Sequence, residues 1–385
     1  PESLASWGAA SALLWADVLV VCRLPGTYPV LRAIGLAQRF GMRVYYDIDD
    51  LIMDGEHFPP PLSSYGGTIS ADVHTGLALD APLFETAMRQ ADAVIVSTPT
   101  LARRWRELAT DRQQPVLVLP NLAPPALRRE ASNARQRLEH LTTDDPLRLL
   151  VSSGTLAHKE VWVDQLAPAL AEVLQRHSHV ALDLVGSLQW PESLAGAAPG
   201  RIREIPFSDY GTYLRHVGRA QIGLAPLETG IVTDAKSAIK WMEYSLMGLA
   251  TVVSPTATYR ELLEEGRHCL FAQDQQGWVQ ALERLIGDAA LRRGLALEAH
   301  QRALELFGPS VGHAFWQAVL PKTAAVPVRR VLLINCFFAP QSVGGATRVA
   351  QDRVRELLAT STQERPVEVT VLCTDLDPWQ GSPQD

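Results

Sequence analysis

The stretch LRLLVSSGTLAHKEVWVDQLAPALAEVLQRHSHVALDLVG, residues 147–186, alternates between two periodicities. Leu147–Ser152 is an apolar run of strand length that ends at Ser153 and Gly154. In Val161–His177, residues Val163, Leu166, Leu170, Val173 and Leu174 follow the i, i+3, i+4 spacing of one buried helical stripe. Val180–Val185 is apolar again, so the unit reads as strand, loop, helix and strand. Strands apolar on both faces and joined through a helix belong to a parallel sheet covered on both sides. Working outward, strands are expected at Ile202–Ile205, Gln221–Ala225, Thr251–Ser254 and Cys269–Phe271. Helices are expected at Asp209–Val217, Lys236–Met247, Trp278–Ile286 and Ala289–Leu306. Residues 147–318 are thereby predicted to form a doubly wound α/β domain.

Upstream, strand-like runs at Ala16–Cys22, Arg43–Asp47, Ala93–Ser97 and Val116–Leu119 alternate with helical stretches at Val30–Phe40 and Pro82–Gln90. Pro82 suits a first helical position. Residues 1–122 therefore read as a second Rossmann-like domain, and the polar, Pro-containing stretch 123–146 as a linker. From Pro327 the pattern restarts: strand Val331–Asn335, a loop with Gly344 and Gly345, helix Thr347–Thr360 and strand Val367–Cys373. One such unit buries too little surface to stand alone. The strand Val331–Asn335 is expected to complete the sheet of residues 1–122, since an unpaired edge exposes apolar surface. Pro1, in place of Met, points to a piece of a longer multi-module chain, with tandem fusion favoured over circular permutation.

Composition narrows the function classes. A chain of 385 residues with 47% hydrophobic and 20% charged residues is long enough for two cores and unlike a disordered protein. A net charge of −7 excludes a general polyanion binder, so any phosphate site is local. Cys22, Cys269, Cys336 and Cys373 show neither metal-ligand pairs nor a disulfide framework, which suggests a reducing cytosol. No apolar run reaches the ~18 residues of a membrane-spanning helix. Only four of the 35 basic residues are lysine, namely Lys159, Lys236, Lys240 and Lys322. A retained lysine is a compact point charge of the kind that meets a phosphate.

Three of those lysines fall in two motifs. Asp234–Gly248 reads as a loop feeding a helix that Gly248 terminates, with Lys236 and Ser237 in the first turn and Lys236, Lys240 and Glu243 on one face. The N-terminus of such a helix favours an anion. A charge-paired solvent face explains the same spacing equally well. The second motif, Ser153-Gly154-Thr155 through His158 and Lys159, is a strand–loop–helix junction whose glycine lets backbone approach a diphosphate.

The order of motifs over residues 147–305 resembles the donor domain of family 4 retaining glycosyltransferases of the GT-B fold. Ser153-Gly154-Thr155 is followed by Leu184-Val185-Gly186, Ala225-Pro226-Leu227, Lys236-Ser237, Lys240 through Glu243 to Gly248, Thr251–Ser254, Tyr259-Arg260-Glu261-Leu262 and Trp278. The resemblance implies a metal-independent, retaining hexosyltransferase that moves sugar from a UDP- or GDP-type donor to a glycan or lipid-linked acceptor, in polysaccharide biosynthesis. It implies no other cofactor. It also implies that Glu243 holds the ribose hydroxyls and that Lys159 faces the diphosphate, with Ser153, Gly154, Thr155, His158, Gly186, Lys236, Ser237 and Lys240 around the donor. Many relatives carry a second glutamate where this chain has Ala235; either Asp234 substitutes for it, or backbone in the loop Leu227–Thr233 holds the sugar hydroxyl, or the module is catalytically weak. Peripheral contact with the inner membrane face follows from family habit alone.

On the acceptor side, the run Asp47-Ile48-Asp49-Asp50 follows a strand. Clustered carboxylates suit Mg²⁺ or Mn²⁺, but they equally cap a turn, and the reading adopted is no metal. Asp49 or Asp50 is expected to face acceptor or sugar, with Gly344 and Gly345 lining the same side. His74 and His268 read as ordinary histidines; Trp241, Tyr244 and Met247 read as helix packing; Tyr65-Gly66-Gly67 reads as a lid or a plain surface loop. Two alternatives remain: a nucleotide-sugar epimerase-like GT-B enzyme, and a non-catalytic glycan-binding or scaffolding module. A dehydrogenase is disfavoured, because Gly344-Gly345 lacks the three-glycine fingerprint.

Overall fold

A computed structural model describes residues 7–65, 69–111, 113–140, 147–153, 161–186, 188, 191–320, 329–336, 338 and 344–373. The first series is α1 (Trp7–Trp15), β1 (Val18–Cys22), α2 (Tyr28–Arg39), β2 (Arg43–Ile48), α3 (Ala71–Gln90), β3 (Ala93–Val96), α4 (Pro99–Leu108), β4 (Val116–Val118) and α5 (Pro125–His140). The second is β5 (Leu147–Ser153), α6 (Ala167–Arg176), β6 (Val180–Gly186), β7 (Ile202–Ile205), α7 (Tyr210–Val217), β8 (Ile222–Ala225), α8 (Ile231–Asp234) and α9 (Ile239–Leu246). It continues with β9 (Ala250–Val253), α10 (Ala257–Leu262), β10 (Leu270–Phe271), α11 (Gln275–Gly287), α12 (Ala289–Phe307) and α13 (Pro309–Val319). The chain returns with β11 (Arg329–Ile334), α14 (Gly344–Ala359) and β12 (Val367–Leu372).

Two six-stranded parallel sheets result, ordered β12-β11-β1-β2-β3-β4 and β10-β9-β8-β5-β6-β7. Both are doubly wound. In β1, Val18, Val20 and Cys22 join Trp316, Leu320, Ala350 and Leu357 under α13 and α14, while Leu19 and Val21 face the opposite core with Val30, Ile34, Met88 and Trp105. The strict alternation of a strand sends successive side chains to opposite faces, and here both faces are dry. The second sheet is covered on one side by α6 and α11 and on the other by α5, α7, α9 and α12.

Strand β11 pairs with β1 in register Val18↔Val331 through Val21↔Ile334, and with β12 on its other side. Two devices hold this unit in place. Asp17 accepts from the Arg330 backbone N–H at 2.8 Å and from its guanidinium at 2.9 Å. On α14, the buried Arg353 donates to Asp47 at 2.9 Å, to the Leu119 carbonyl at 3.0 Å and to Glu356 at 3.2 Å. Burial pushes the Glu356 carboxyl up to about 6 against the opposing pull of Arg353 and of Trp316, whose indole N–H it accepts.

Several local expectations need correction. Pro82 lies inside α3, which begins eleven residues earlier at Ala71 behind the Ser70 cap. The stretch read as a linker contains α5, whose Leu127, Ala131 and Ala134 are buried, the first two among the α7, α9 and α12 side chains. Helix α13, counted with the donor half, packs on the first sheet through Trp316. No helix among the described residues is long and apolar enough to cross a membrane.

Candidate functional site

Strand β5 lies between β6 and β8, so the chain leaves it first to one side and later to the other. Open α/β sheets bind ligands in the crevice such a reversal leaves at the carboxyl ends of the strands. Ser152 and Ser153 end β5 at that point, with Ser153 opposite Gly186 of β6. Gly186 has φ +93°, and a Cβ there would stand 2.2 Å from the Ser153 carbonyl oxygen, so only glycine closes this edge. Gly223 of β8 plays a different part. A Cβ on it would meet the Tyr244 ring at 2.5 Å, and its absence lets α9 lie close enough for Tyr244 to reach β5.

Around Ser152 the side chains form one polar network. Tyr244 Oη lies 2.7 Å from Ser152 Oγ and accepts from the Ser152 backbone N–H at 3.2 Å. Lys240 Nζ donates to Ser152 Oγ at 3.0 Å and stands 3.9 Å from Glu243. Glu243, only 4% exposed, accepts from Tyr210 at 3.0 Å and from Tyr213 at 2.8 Å, one phenol to each carboxylate oxygen. The two tyrosine rings stack with centroids 5.9 Å apart. Lys240 lies over the Tyr213 ring at 5.3 Å and Arg348, from α14 in the other sheet's domain, over the Tyr210 ring at 4.6 Å. Burial, then the nearby Glu243 charge, raises both Tyr210 and Tyr213, so they stay neutral donors. Burial lowers Lys240, with Glu243 opposing and Arg348 adding to the shift. The arrangement is a buried carboxylate and a partly buried ammonium, both at the crevice and both held by phenols and a serine.

Lys240 and Glu243 thus come together as read from their spacing, on α9. Lys236 and Ser237 do not sit in its first turn: α9 starts at Ile239, and both precede it in the bend after α8. Ser237 Oγ instead accepts from Asn121 of the first domain at 3.3 Å. Asp234 caps α10: its Oδ1 accepts the Ala257 N–H at 2.9 Å, and its carbonyl accepts the Thr258 hydroxyl. Ala235 is buried in the first domain's core and its carbonyl accepts from Thr98 at 3.0 Å. Gly154, Thr155, His158 and Lys159 lie outside the described residues, as do Gly66 and Gly67.

Across the cleft, Asp49 and Asp50 each bind Arg23, at 3.0 and 2.9 Å. Arg23 follows β1 with φ +47°, a strained conformation for a non-glycine residue. Asp49 is buried and also accepts from Asn121 at 3.4 Å. Burial, followed by the charges of Asp50 and Asp47, pushes its carboxyl up to about 6 despite Arg23. Gly344 and Gly345 open α14 and are not a preceding loop. The acidic run is therefore neutralised by arginines, Asp47 by Arg353 and the others by Arg23. The one described group with metal-ligand spacing, Asp54, Glu56 and His57, also has Arg104 donating to Asp54 at 2.7 Å.

The sequence reading missed Ser152, Tyr210, Tyr213, Asn121, Arg23, Arg348 and Arg353 as site and seam residues. For the tyrosines a signal existed: Asp209 caps α7, which places Tyr210 and Tyr213 three apart on one helix face. Arg23 and Arg348 reach their partners only through tertiary structure.

Residues 165–309 match a family model described as glycosyl transferase-like. No curated protein matches the chain. Among solved structures, Anabaena HepE in complex with UDP-glucose is 17% identical with a TM-score of 0.52, over 80% of this chain and 81% of that one. Sucrose-phosphate synthase from Thermosynechococcus elongatus is 14% identical with a TM-score of 0.52, over 81% and 73%. The pneumococcal O-GlcNAc transferase GtfA in complex with UDP and GlcNAc is 14% identical with a TM-score of 0.53, over 81% and 58%. Identities this low carry the fold. The chain has the GT-B fold, two doubly wound parallel-sheet domains facing a cleft, and holds a glycosyl transferase-like domain over residues 165–309.

Proposed function

We propose that this protein is a retaining glycosyltransferase that moves a sugar from a nucleotide-diphosphate sugar to a glycan or lipid-linked acceptor without a metal. The observation that carries the reading is the Glu243, Lys240 and Ser152 cluster at the carboxyl end of β5, with Lys240 and Glu243 inside the stretch that matches the glycosyl transferase-like model. A carboxylate accepts two ribose hydroxyls bidentately, and a cation beside a leaving diphosphate stabilises charge that grows in the transition state. Glu243 takes the first role, in exchange for its phenol hydrogen bonds; Lys240, with Lys159 from the sequence order, takes the second. Ser153, Gly154, Thr155, His158, Gly186, Lys236 and Ser237 are assigned to the donor side, and Asp49, Asp50, Gly344 and Gly345 to the acceptor side. The bond from the anomeric carbon to the phosphate oxygen breaks while the acceptor oxygen bonds the same face. The acceptor's proton passes to the departing phosphate, so no protein nucleophile is required. UDP is the first nucleotide to try, because HepE and GtfA were each solved with UDP or a UDP-sugar.

One observation favours a second reading, a non-catalytic glycan-binding or scaffolding module. Asp234 is engaged at the start of α10 and Ala235 is buried between the domains, so neither presents a carboxylate to the sugar. Calorimetric titration with UDP, GDP and their common sugars, followed by a transfer and hydrolysis assay, separates the two. Binding with sugar transfer supports the transferase; binding without turnover leaves the module; no binding by any nucleotide rejects the transferase and favours the module.

A further inference from the structure

The proposal rests on the nucleotide-sugar reading of this site and concerns a residue outside the matched domain. Helix α14 carries three arginines in its described side chains. Arg353 is held by Asp47 and Glu356, and Arg355 by Asp352 at 2.5 Å. Among the described residues no carboxylate lies within ion-pair distance of the third, Arg348, whose guanidinium lies against the Tyr210 ring. Asp352, one turn further along, is engaged with Arg355. The charged groups facing Arg348 are thus Lys240 and Glu243 from α9 and Asp352 from its own helix, with Tyr210 and Tyr213 between.

Two cations therefore converge on one pair of stacked phenols from opposite sides of the cleft, Lys240 from one domain and Arg348 from the other. Glu243 offsets Lys240. A half-buried guanidinium beside a second cation, with no carboxylate in ion-pair distance among the described residues, is relieved by an anion, and its planar fork suits two phosphate oxygens. We propose that Arg348 binds the diphosphate of the nucleotide donor. In this role the C-terminal unit of β11, α14 and β12 contributes a side chain to the donor site as well as completing a sheet.

The test compares UDP with uridine on the full chain, by calorimetry for UDP and ligand-observed NMR for uridine. The chains are wild type, Arg348→Gln, Arg348→Lys and, as a control, Arg355→Gln, with thermal unfolding checking that each is folded. Arg348→Gln is expected to weaken UDP at least ~10-fold and to leave uridine unchanged; Arg348→Lys recovers part of the loss and Arg355→Gln behaves as wild type. Equal weakening of UDP and uridine would show that Arg348 acts only by supporting Tyr210 and Glu243, and would overturn the proposal. Unchanged UDP binding in a folded Arg348→Gln would overturn it alone, leaving the site's reading intact. A wild-type chain that binds neither ligand would overturn both.

Discussion

Glu243 has both carboxylate oxygens in phenol hydrogen bonds and almost no exposure, so removing it does two things at once. Glu243→Ala is expected to weaken nucleotide binding by ~1.5–3 kcal/mol and to lower stability by ~1–3 kcal/mol, because the Tyr210 and Tyr213 hydroxyls lose their acceptor. Calorimetry and urea unfolding read the two effects separately; intact binding would remove the ribose role. Gly223→Ala is a purely steric counterpart. Its methyl would overlap the Tyr244 ring at 2.5 Å, so a loss of ~1–3 kcal/mol is expected in the same unfolding measurement. Lys240 and Glu243 were legible because helical spacing is a property of the sequence itself. The phenols on Glu243 and the caps that engage Asp234 were not, since both depend on where α7 and α10 dock.

Among the elements, α14 is anchored through buried charge on both partners. Arg353 and Asp47 are both nearly inaccessible, and Arg353→Ala would leave Asp47 uncompensated in the core. A loss of ~3–5 kcal/mol is expected by denaturant unfolding. The half-exposed pair Arg103–Glu261 between α4 and α10 gives a contrast: Arg103→Ala is expected to cost less than ~1 kcal/mol. Asp49 and Glu356 add a dependence on pH. Both carboxyls titrate near 6 when folded, above their values of 3.8 and 4.5 when unfolded, so the folded chain binds protons more tightly. Their contribution to stability is full below pH ~4 and is lost as pH rises through about 6. Asp49→Asn should flatten that part of a stability–pH curve, and an unchanged slope would contradict the assignment. The elements themselves were largely legible from periodicity. Boundaries went astray where a cap outweighed a proline, as Ser70 does ahead of Pro82, or where a polar surface hid a buried stripe, as in α5.

At the scale of the whole molecule, the domains meet through Thr98 on Ala235 and Asn121 on Ser237. A family-minded substitution would place glutamate at position 235. Ala235→Glu is instead expected to bury a carboxylate in the first domain's core, to lower the thermal midpoint and to gain no transferase activity. Rising activity with unchanged stability would show that position 235 faces the sugar after all. How the domains meet was the least legible part, because a contact between residues 137 apart leaves no local signature.

The pairing of β1 with β11 also sets an order of assembly. Asp17 and Arg330 are separated by 313 residues, so a ribosome adding about 5–20 residues per second needs roughly 15–60 s between them. Among residues 1–385 the β1 edge meets its neighbour β11 only at the end of that interval, by which point residues 147–307 hold every strand of their own sheet. Within these residues the second sheet can therefore close before the first, whose long-range pairing of β1 with β11 is the slower one to form.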